Sequence, residues 1–298
     1  MTLLGFARRY LVMVKESMIF KDLSRSTKFK SGLLLLLSVC IISLIGSRLS
    51  PYDVRQVGYL PPDRPPTLEH PLGTDSFGRD VFSELLVGTL NSLQVGFIVG
   101  FIVTLVSVAL GFIAGYYGGK RLDAIISSIT RIFLVIPALP VMILVSACIR
   151  VITIHMLALI ISAFSWPFAT LVIRSQVLSL REKEFVNLAK ASGLNDLRII
   201  FEELIPNMLP YIGANFASLV SWAILAEIGL GILGLGPMEV TLGIIFYWSL
   251  VHLALIRNLW WWWFPPILVF MLIFSSLYLI HSGLDEVANP RLKRVTGL

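Results

Sequence analysis

Charged residues are scarce in this sequence and make up 14% of its 298 residues. Soluble globular domains carry about 25% charged residues, so the composition argues against an ordinary soluble fold. Hydrophobic residues account for 56% of the chain. These values predict an integral membrane protein. The net charge of +6 is therefore interpreted as a signal of membrane orientation and not of nucleic-acid binding.

Cysteine is nearly absent. The two cysteines, Cys40 and Cys148, both lie within apolar stretches. Two such cysteines form neither a disulfide framework nor the paired spacing of a zinc site. The histidines are interpreted as surface or interface residues, because they are scattered without the spacing of metal ligands: His70, His155, His252 and His281. We predict no metal site and no redox chemistry.

A nucleotide-binding motif is also missing. Gly119 and Lys120 resemble the end of a phosphate-binding loop, but Ala114 occupies the position of its first glycine and Arg121 replaces the required Ser or Thr. No combination of Ser, His and Asp suggests a catalytic triad. We therefore predict that the chain is not an enzyme, with no catalytic residue and no cofactor of its own.

Six apolar segments are long enough to cross a bilayer, at about residues 31–49, 93–116, 124–149, 156–172, 211–234 and 259–280. The nineteen-residue first segment would cover roughly 28 Å as a helix, close to the thickness of a bilayer core. Pro137 and Pro140 interrupt the third segment, which predicts a helix broken within the membrane. The predicted fold is all-α with six transmembrane helices.

The fourth and fifth apolar segments are separated by a polar stretch, residues 179–210, which we name the hairpin. Ser179 and Glu182 form a capping box that predicts a helix start, and Gly193 is the expected left-handed residue after that helix. Asn195 predicts the cap of a second helix, which Pro206 should limit. The pattern indicates two short helices joined at a glycine.

Phe185, Leu188 and Ala189 recur at helical spacing in the first helix of the hairpin, as Ile200 and Leu204 do in the second. Each helix should therefore have one apolar stripe and one charged face. Such a hairpin is suited to docking into an apolar groove of another protein. The alternative is a polar loop that lies on its own chain.

Basic residues are unevenly distributed between the connecting segments. Seventeen of the 24 fall at the termini, near Lys120 or around the hairpin, six fall in the remaining connections, and Arg131 lies within a predicted span. The positive-inside rule then places both termini in the cytoplasm. The predicted division is a cytoplasmic tail 1–30, a first transmembrane helix 31–49, an extracytoplasmic loop 50–92, a membrane core 93–280 with five helices and the hairpin, and a cytoplasmic tail 281–298.

The hairpin resembles the cytoplasmic loop of ABC importer permeases, in which Glu-Ala-Ala, three residues and Gly precede an Ile-x-Leu-Pro ending. The matching positions here are Asn187, Leu188, Ala189, Gly193, Leu204, Ile205 and Pro206. The spacing is kept, although Asn187 replaces the Glu and Leu188 the first Ala. The resemblance implies that the hairpin couples the membrane helices to an ATPase.

Two further stretches resemble the dipeptide, oligopeptide and nickel branch of these permeases: HPLGTDSFGR at residues 70–79 and GLDEVANPR at 283–291. The resemblance extends over about residues 71–294. It implies the type I importer fold in a bacterial or archaeal cytoplasmic membrane. It also implies as partners a second related permease, two ATPase subunits that bind ATP and Mg, and an extracytoplasmic solute-binding protein.

The same resemblance implies small peptides, oligosaccharides or nickel chelates as substrates. Aromatic residues at 246–248 and 260–263 would suit stacking on sugar rings, whereas the His and acid clustering expected around nickel is missing. Peptides are the first choice and oligosaccharides the second. A non-transporting scaffold or receptor and a self-contained secondary transporter remain as alternatives of other classes.

Arg131 and Glu227 are the charged residues that lie well inside the predicted spans, where a charge costs about 2.5–3.5 kcal/mol. The helical rise places Arg131 roughly 10 Å from the inner surface and Glu227 roughly 24 Å, so they are not expected to pair. Arg131 either extends to the interface or lines a translocation pathway. Glu227 either lines that pathway or caps backbone N–H groups at a helix break.

Overall fold

The computed structural model describes residues 22–288. The described part is helical and contains no strand beyond an isolated bridge between Thr74 and Asp80. The all-α prediction is confirmed. Residues 1–21 and 289–298 of the two predicted tails lie outside the described residues.

The helices within residues 22–288 are α1 Thr27–Leu49, α2 Val81–Tyr116, α3 Arg121–Val135, α4 Ala138–Cys148, α5 Ile154–Arg181, α6 Glu184–Ala191, α7 Asp196–Arg198, α8 Ile205–Ile232, α9 Leu242–Val251 and α10 Trp260–Ala288. A π-helical segment, Ile199–Leu204, joins α7 to α8 in one continuous helix. Five helices of this part are long and apolar enough to span a membrane, or six when α3 and α4 count as one broken span.

The predicted break in the third apolar segment is confirmed. α3 and α4 meet at an angle of 73°, and Pro137 is the residue that caps α4. Pro140 lies in the first turn of α4, where its missing N–H leaves no helical hydrogen bond unmade.

α2 begins at Val81, so the prediction that residues 81–92 belong to a loop was wrong. Asp80 caps this 36-residue helix by accepting a hydrogen bond from the Ser83 backbone N–H at 2.8 Å. The polar residues that indicated a loop instead form hydrogen bonds inside the bundle. Asn91 Nδ2, for example, donates to the Val240 carbonyl at 2.7 Å.

The two boundary predictions for the hairpin were also wrong. Ser179 lies inside α5, which ends at Arg181, and the next helix begins at Glu184. Pro206 does not end the second helix. The Ile205 N–H bonds five residues back to Ile200, and this wider π turn admits the proline ring into a helix that continues to Ile232.

α10 extends to Ala288, so residues 281–288 are helical and not part of a free tail as predicted. This extension packs on neighbouring helices. His281 Nδ1 lies 2.9 Å from the Ala214 carbonyl of α8, and Glu286 forms an ion pair with Lys28 of α1.

α2 packs between α5 and α8, and its glycines permit the close approach. A Cβ added at Gly100 would lie 2.7 Å from Val220 of α8, and one at Gly115 would lie 2.6 Å from Val177 of α5. Distances this short are not compatible with a side chain. These glycines are therefore packing sites between α2 and its two neighbours.

Candidate functional site at the hairpin end of the bundle

The hairpin turns at Gly193, which has a φ of +76°. A Cβ at this position would meet nothing within 4 Å, so glycine is required by the backbone conformation and not by lack of space. Asn195 caps the following helix, because its Oδ1 accepts a hydrogen bond from the Arg198 N–H at 2.9 Å. The predicted left-handed glycine and the predicted cap are both observed.

One face of the hairpin packs on the bundle. Val186 and Ala189 of α6 and Leu204 of the π-helical segment are buried in an apolar cluster that includes Ile173 of α5. Phe185 is half-buried against the same cluster. The hairpin is therefore a fixed part of the chain and not a detached loop.

The opposite face exposes large apolar side chains. Leu188 is 68% exposed, Leu197 65% and Phe201 57%. We name these three residues the exposed apolar face. Leu197 and Phe201 are four residues apart in one continuous helix and so share a side of it. Asn187 of the permease-like motif is exposed next to Leu188.

The predicted single stripe of the first helix is thus divided between two faces. Phe185 and Ala189 point to the bundle, and Leu188 points away from it. The prediction of one stripe that includes Leu188 was wrong, because Val186 and Ala189, at i,i+3 spacing, form the side of the helix that is buried against the bundle. Leu197 and Phe201 were not among the predicted residues, although their i,i+4 spacing after the Asn195 cap indicates a shared face. Pro206 is half-buried in the continuous helix.

Asp196 attaches the second helix of the hairpin to the end of α2. Its Oδ1 accepts a hydrogen bond from Tyr116 Oη at 2.7 Å, and its Oδ2 accepts one from Tyr117 Oη at 3.0 Å. The hydrogen bond to this carboxylate, with burial and the negative charge, raises the pKa of Tyr117 above its usual value. The ammonium groups of Lys190 and Lys120 lie over the two tyrosine rings, at 5.6 and 5.3 Å from their centroids.

Two arginines of α5 hold the neighbouring segments. Arg181 Nη1 donates to the carbonyls of Tyr116 at 3.0 Å and Gly118 at 3.1 Å, which are acceptors left unpaired where α2 ends. Arg174 forms a two-pronged ion pair with Asp123 of α3, at 2.5 and 2.7 Å. The ends of α2, α3 and α5 and the hairpin therefore form one connected network.

The intramembrane charges occupy different environments. Glu227 is fully buried in α8, where its Oε2 accepts a hydrogen bond from Ser92 Oγ at 2.7 Å. The same Oγ accepts the Leu242 N–H at 3.0 Å, so the carboxylate lies beside the N-terminus of α9. This geometry supports the capping interpretation. Arg131 is exposed on α3, and no ion pair among residues 22–288 joins it to Glu227.

At the opposite end of the bundle, residues 70–80 fold into a compact ionic cap. The side chain of Asp75 is fully buried, pairs with Arg79 at 2.7 Å and accepts the Phe77 N–H at 2.9 Å. Arg79 also pairs with Glu84 at 2.9 Å. Asp80, besides capping α2, pairs with His70 at 2.9 Å.

The aromatic residues considered for sugar stacking are largely used inside the protein. The Trp248 ring packs edge-on against Phe77 with centroids 5.0 Å apart. Trp262 is fully buried, and Trp261 is buried and donates its indole N–H to the Thr74 carbonyl at 3.2 Å. Trp248 and Trp261 therefore contact the ionic cap, and Trp260 is an exposed ring of this set.

Comparison with known proteins gives a consistent family. The family described as "Binding-protein-dependent transport system inner membrane component" matches residues 107–294. The chain is 35% identical over 219 residues to the dipeptide transport system permease protein DppC of Alkalihalophilus pseudofirmus, with 73% of this chain and 71% of the relative covered. It is 30% identical over 232 residues to the oligopeptide transport system permease protein OppC of Mycobacterium tuberculosis, with 77% and 79% covered.

A solved structure supports the fold. The chain aligns with the structure titled "Inward facing conformations of the MetNI methionine ABC transporter" with a TM-score of 0.52 and 19% sequence identity. The alignment covers 67% of this chain and 95% of the other.

Proposed function

This chain belongs to the family of inner membrane components of binding-protein-dependent transport systems, and we propose that it forms half of the translocation pathway of an ABC importer for small peptides. It is a multi-pass protein of the cytoplasmic membrane. Relatives that are at least 30% identical over more than two thirds of the chain carry the names of dipeptide and oligopeptide permeases, which supports peptides as the substrate class.

The proposed complex contains a second, related permease, two ATPase subunits that bind ATP and Mg, and an extracytoplasmic solute-binding protein. Nucleic acid is not a partner. Both termini and the hairpin face the cytoplasm in this arrangement. The chain itself contributes the pathway and the coupling element and no catalytic residue.

The observation that carries the coupling role is the exposed apolar face of the hairpin. Leu188, Leu197 and Phe201 are large apolar side chains on a segment rich in charge, and the bundle leaves them uncovered. An apolar groove of an ATPase subunit would remove them from water at about 25 cal/mol per Å² of apolar surface. Asn187 would lie at the edge of this contact, while Phe185, Ala189, Gly193 and Pro206 would hold the hairpin in place.

ATP binding would then draw the two ATPase subunits together, and the hairpins seated on them would move with them. Because each hairpin is packed on its own bundle, its movement would shift the membrane helices between inward-facing and outward-facing arrangements. Arg131 faces away from this chain, so it is positioned to contact the pathway or the second permease. Glu227 would act indirectly, by holding α9 against α8.

The substrate class is tested on the solute-binding protein of the same system. Panels of di- and oligopeptides, oligosaccharides and nickel chelates are titrated by calorimetry, and tight binding is expected for peptides alone. Tight binding of a sugar or a nickel chelate would contradict the peptide proposal. Purification of the tagged chain from its native membrane should also recover an ATPase subunit, whereas its absence would favour a non-transporting scaffold.

A further inference from the structure

The end of α2 is a junction of three other elements. Tyr116 and Tyr117 bond to Asp196 of the hairpin, and the Tyr116 and Gly118 carbonyls accept Arg181 of α5. The Gly119 N–H donates to Asp123 of α3 at 2.9 Å. These contacts are polar and directional, so a displacement of the hairpin changes the hydrogen bonds at the end of α2 and not merely its packing.

At the far end of the bundle, α2 also contacts the segment that leads into α9. Asn91 bonds to the Val240 carbonyl at 2.7 Å, and Ser92 links Glu227 of α8 to the first N–H of α9. Residues 91 and 116 lie in the same unbroken helix, which contains no proline. At a rise of 1.5 Å per residue they are separated by roughly 38 Å, which exceeds the thickness of a bilayer core.

The tyrosine hydroxyls have fixed positions. The Tyr116 ring is buried in the apolar cluster that holds Val186 and Ile199, and it meets the Tyr117 ring edge-on with centroids 5.2 Å apart. Packing thus determines where both hydroxyls lie before Asp196 accepts from them. Asp196 in turn is the first residue of the helix that carries Leu197 and Phe201 of the exposed apolar face.

We propose that Tyr116 and Tyr117 are positioning residues for transport, because their two hydrogen bonds to Asp196 make α2 move with the hairpin. We name the three residues the tyrosine clamp. This inference rests on the proposed coupling role of the hairpin. It specifies which contacts transmit the movement of the hairpin to α2. α2 then carries the movement to Asn91 and Ser92, and through them to α9.

The test uses the full complex of both permeases, the ATPases and the solute-binding protein, reconstituted in proteoliposomes. The variants are Tyr116→Phe, Tyr117→Phe and the double variant, which remove hydroxyls and keep both rings. Tyr278→Phe on the exposed surface of α10 is the matched control. The readouts are the amount of assembled complex, ATP hydrolysis with and without the binding protein, and radiolabelled peptide transported per ATP hydrolysed.

The double variant is expected to assemble and to hydrolyse ATP as the parent does, while peptide transported per ATP falls by about fivefold or more. Each single variant keeps one hydrogen bond to Asp196 and should show an intermediate loss. Tyr278→Phe should match the parent. An unchanged ratio in the double variant would overturn the proposal, and loss of assembled complex in the single variants would do the same, because it would show a purely structural role.

A mutant cycle with Asp196→Ala tests the pairing itself. Asp196→Ala should lower the transport ratio as much as the tyrosine double variant does, and the triple variant should show no further loss. Losses that multiply would mean that the tyrosines act independently of Asp196, which contradicts the clamp.

Normal coupling in the clamp variants together with failed coupling in Leu188→Asp would refute the clamp alone. Parent-like transport in Leu188→Asp would refute the hairpin role instead.

Discussion

The two ends of this bundle differ in which side chains they bury and which they expose. At the end formed by residues 63–80, charged groups are turned inward, as the buried Asp75 and its partner Arg79 show. Arg257 ties the same region to the segment before α10 through an ion pair with Asp63. On the hairpin itself, charged side chains such as Lys190 remain at the surface, and large apolar side chains such as Leu188 are exposed as well. The ionic cap is complete within one chain, whereas the hairpin leaves large apolar side chains uncovered, which we propose a partner covers.

This comparison predicts that damage at the two ends has different consequences. A substitution in the ionic cap should unfold part of the subunit. A substitution on the exposed apolar face should leave the subunit folded and affect its assembly or its coupling.

The largest effect is expected for Asp75→Ala. It removes a fully buried carboxylate and leaves Arg79 with an incomplete set of partners, and breaking a buried ion pair in this way costs about 3–5 kcal/mol. Thermal unfolding of the detergent-purified subunit should therefore begin at a clearly lower temperature. Asp53→Ala, at an exposed acid of the same loop, is the control and should leave the transition unchanged. Equal transitions for the two variants would mean that the cap does not stabilise the fold.

Leu188→Asp should have the next largest effect, on assembly and not on folding. The side chain is 68% exposed, so the subunit tolerates the charge, but an apolar groove that receives it would bury an unpaired carboxylate. Co-purification of the ATPase and peptide transport should fall at least about tenfold. The neighbouring Asn187→Asp adds the same charge at the edge of the contact. It should reduce co-purification and transport by a smaller factor. Normal assembly of Leu188→Asp would show that this face does not contact the ATPase.

Gly193→Val should have a moderate effect at the same end. The φ of +76° costs a residue with a Cβ roughly 1–2 kcal/mol, so the two helices of the hairpin should shift relative to each other. Substrate-stimulated ATP hydrolysis should decrease while membrane insertion stays normal. Gly229→Ala is the matched control, because this helical glycine also has no neighbour within 4 Å of an added Cβ but needs no positive φ. If both variants behave alike, the turn conformation has no role in coupling.

The smallest effect is expected from single cysteines that report topology. Leu68 in the loop before the ionic cap and Asn187 on the hairpin are both exposed, so Leu68→Cys and Asn187→Cys should leave the stability of the subunit unchanged. A membrane-impermeant maleimide should label Cys at 68 in intact cells and Cys at 187 in inverted vesicles. The experiment uses Cys40→Ser and Cys148→Ser as background. Labelling of both positions from one side would contradict the six-span topology.

Local chemistry was sufficient for several features of this protein. Long apolar runs cannot be satisfied in water, so they predicted membrane helices without reference to any neighbour. Pro137 lacks an N–H and breaks the third span wherever that span packs. Gly193 and Asn195 specify a turn and a cap through their own backbone preferences, and both were predicted correctly.

Tertiary structure decided the features in which distant partners compete with local signals. The polar residues Asn91 and Ser92 resembled a loop, but they are helical because Val240 and Glu227 supply their hydrogen bonds across the bundle. The capping potential of Ser179 is not used, since α5 continues to Arg181, which bonds to the end of α2. The division of the hairpin into a packed face and an exposed apolar face depends on which side meets α2 and α5. Helical periodicity reports that a stripe exists, and only the packed bundle determines which stripe is left for a partner.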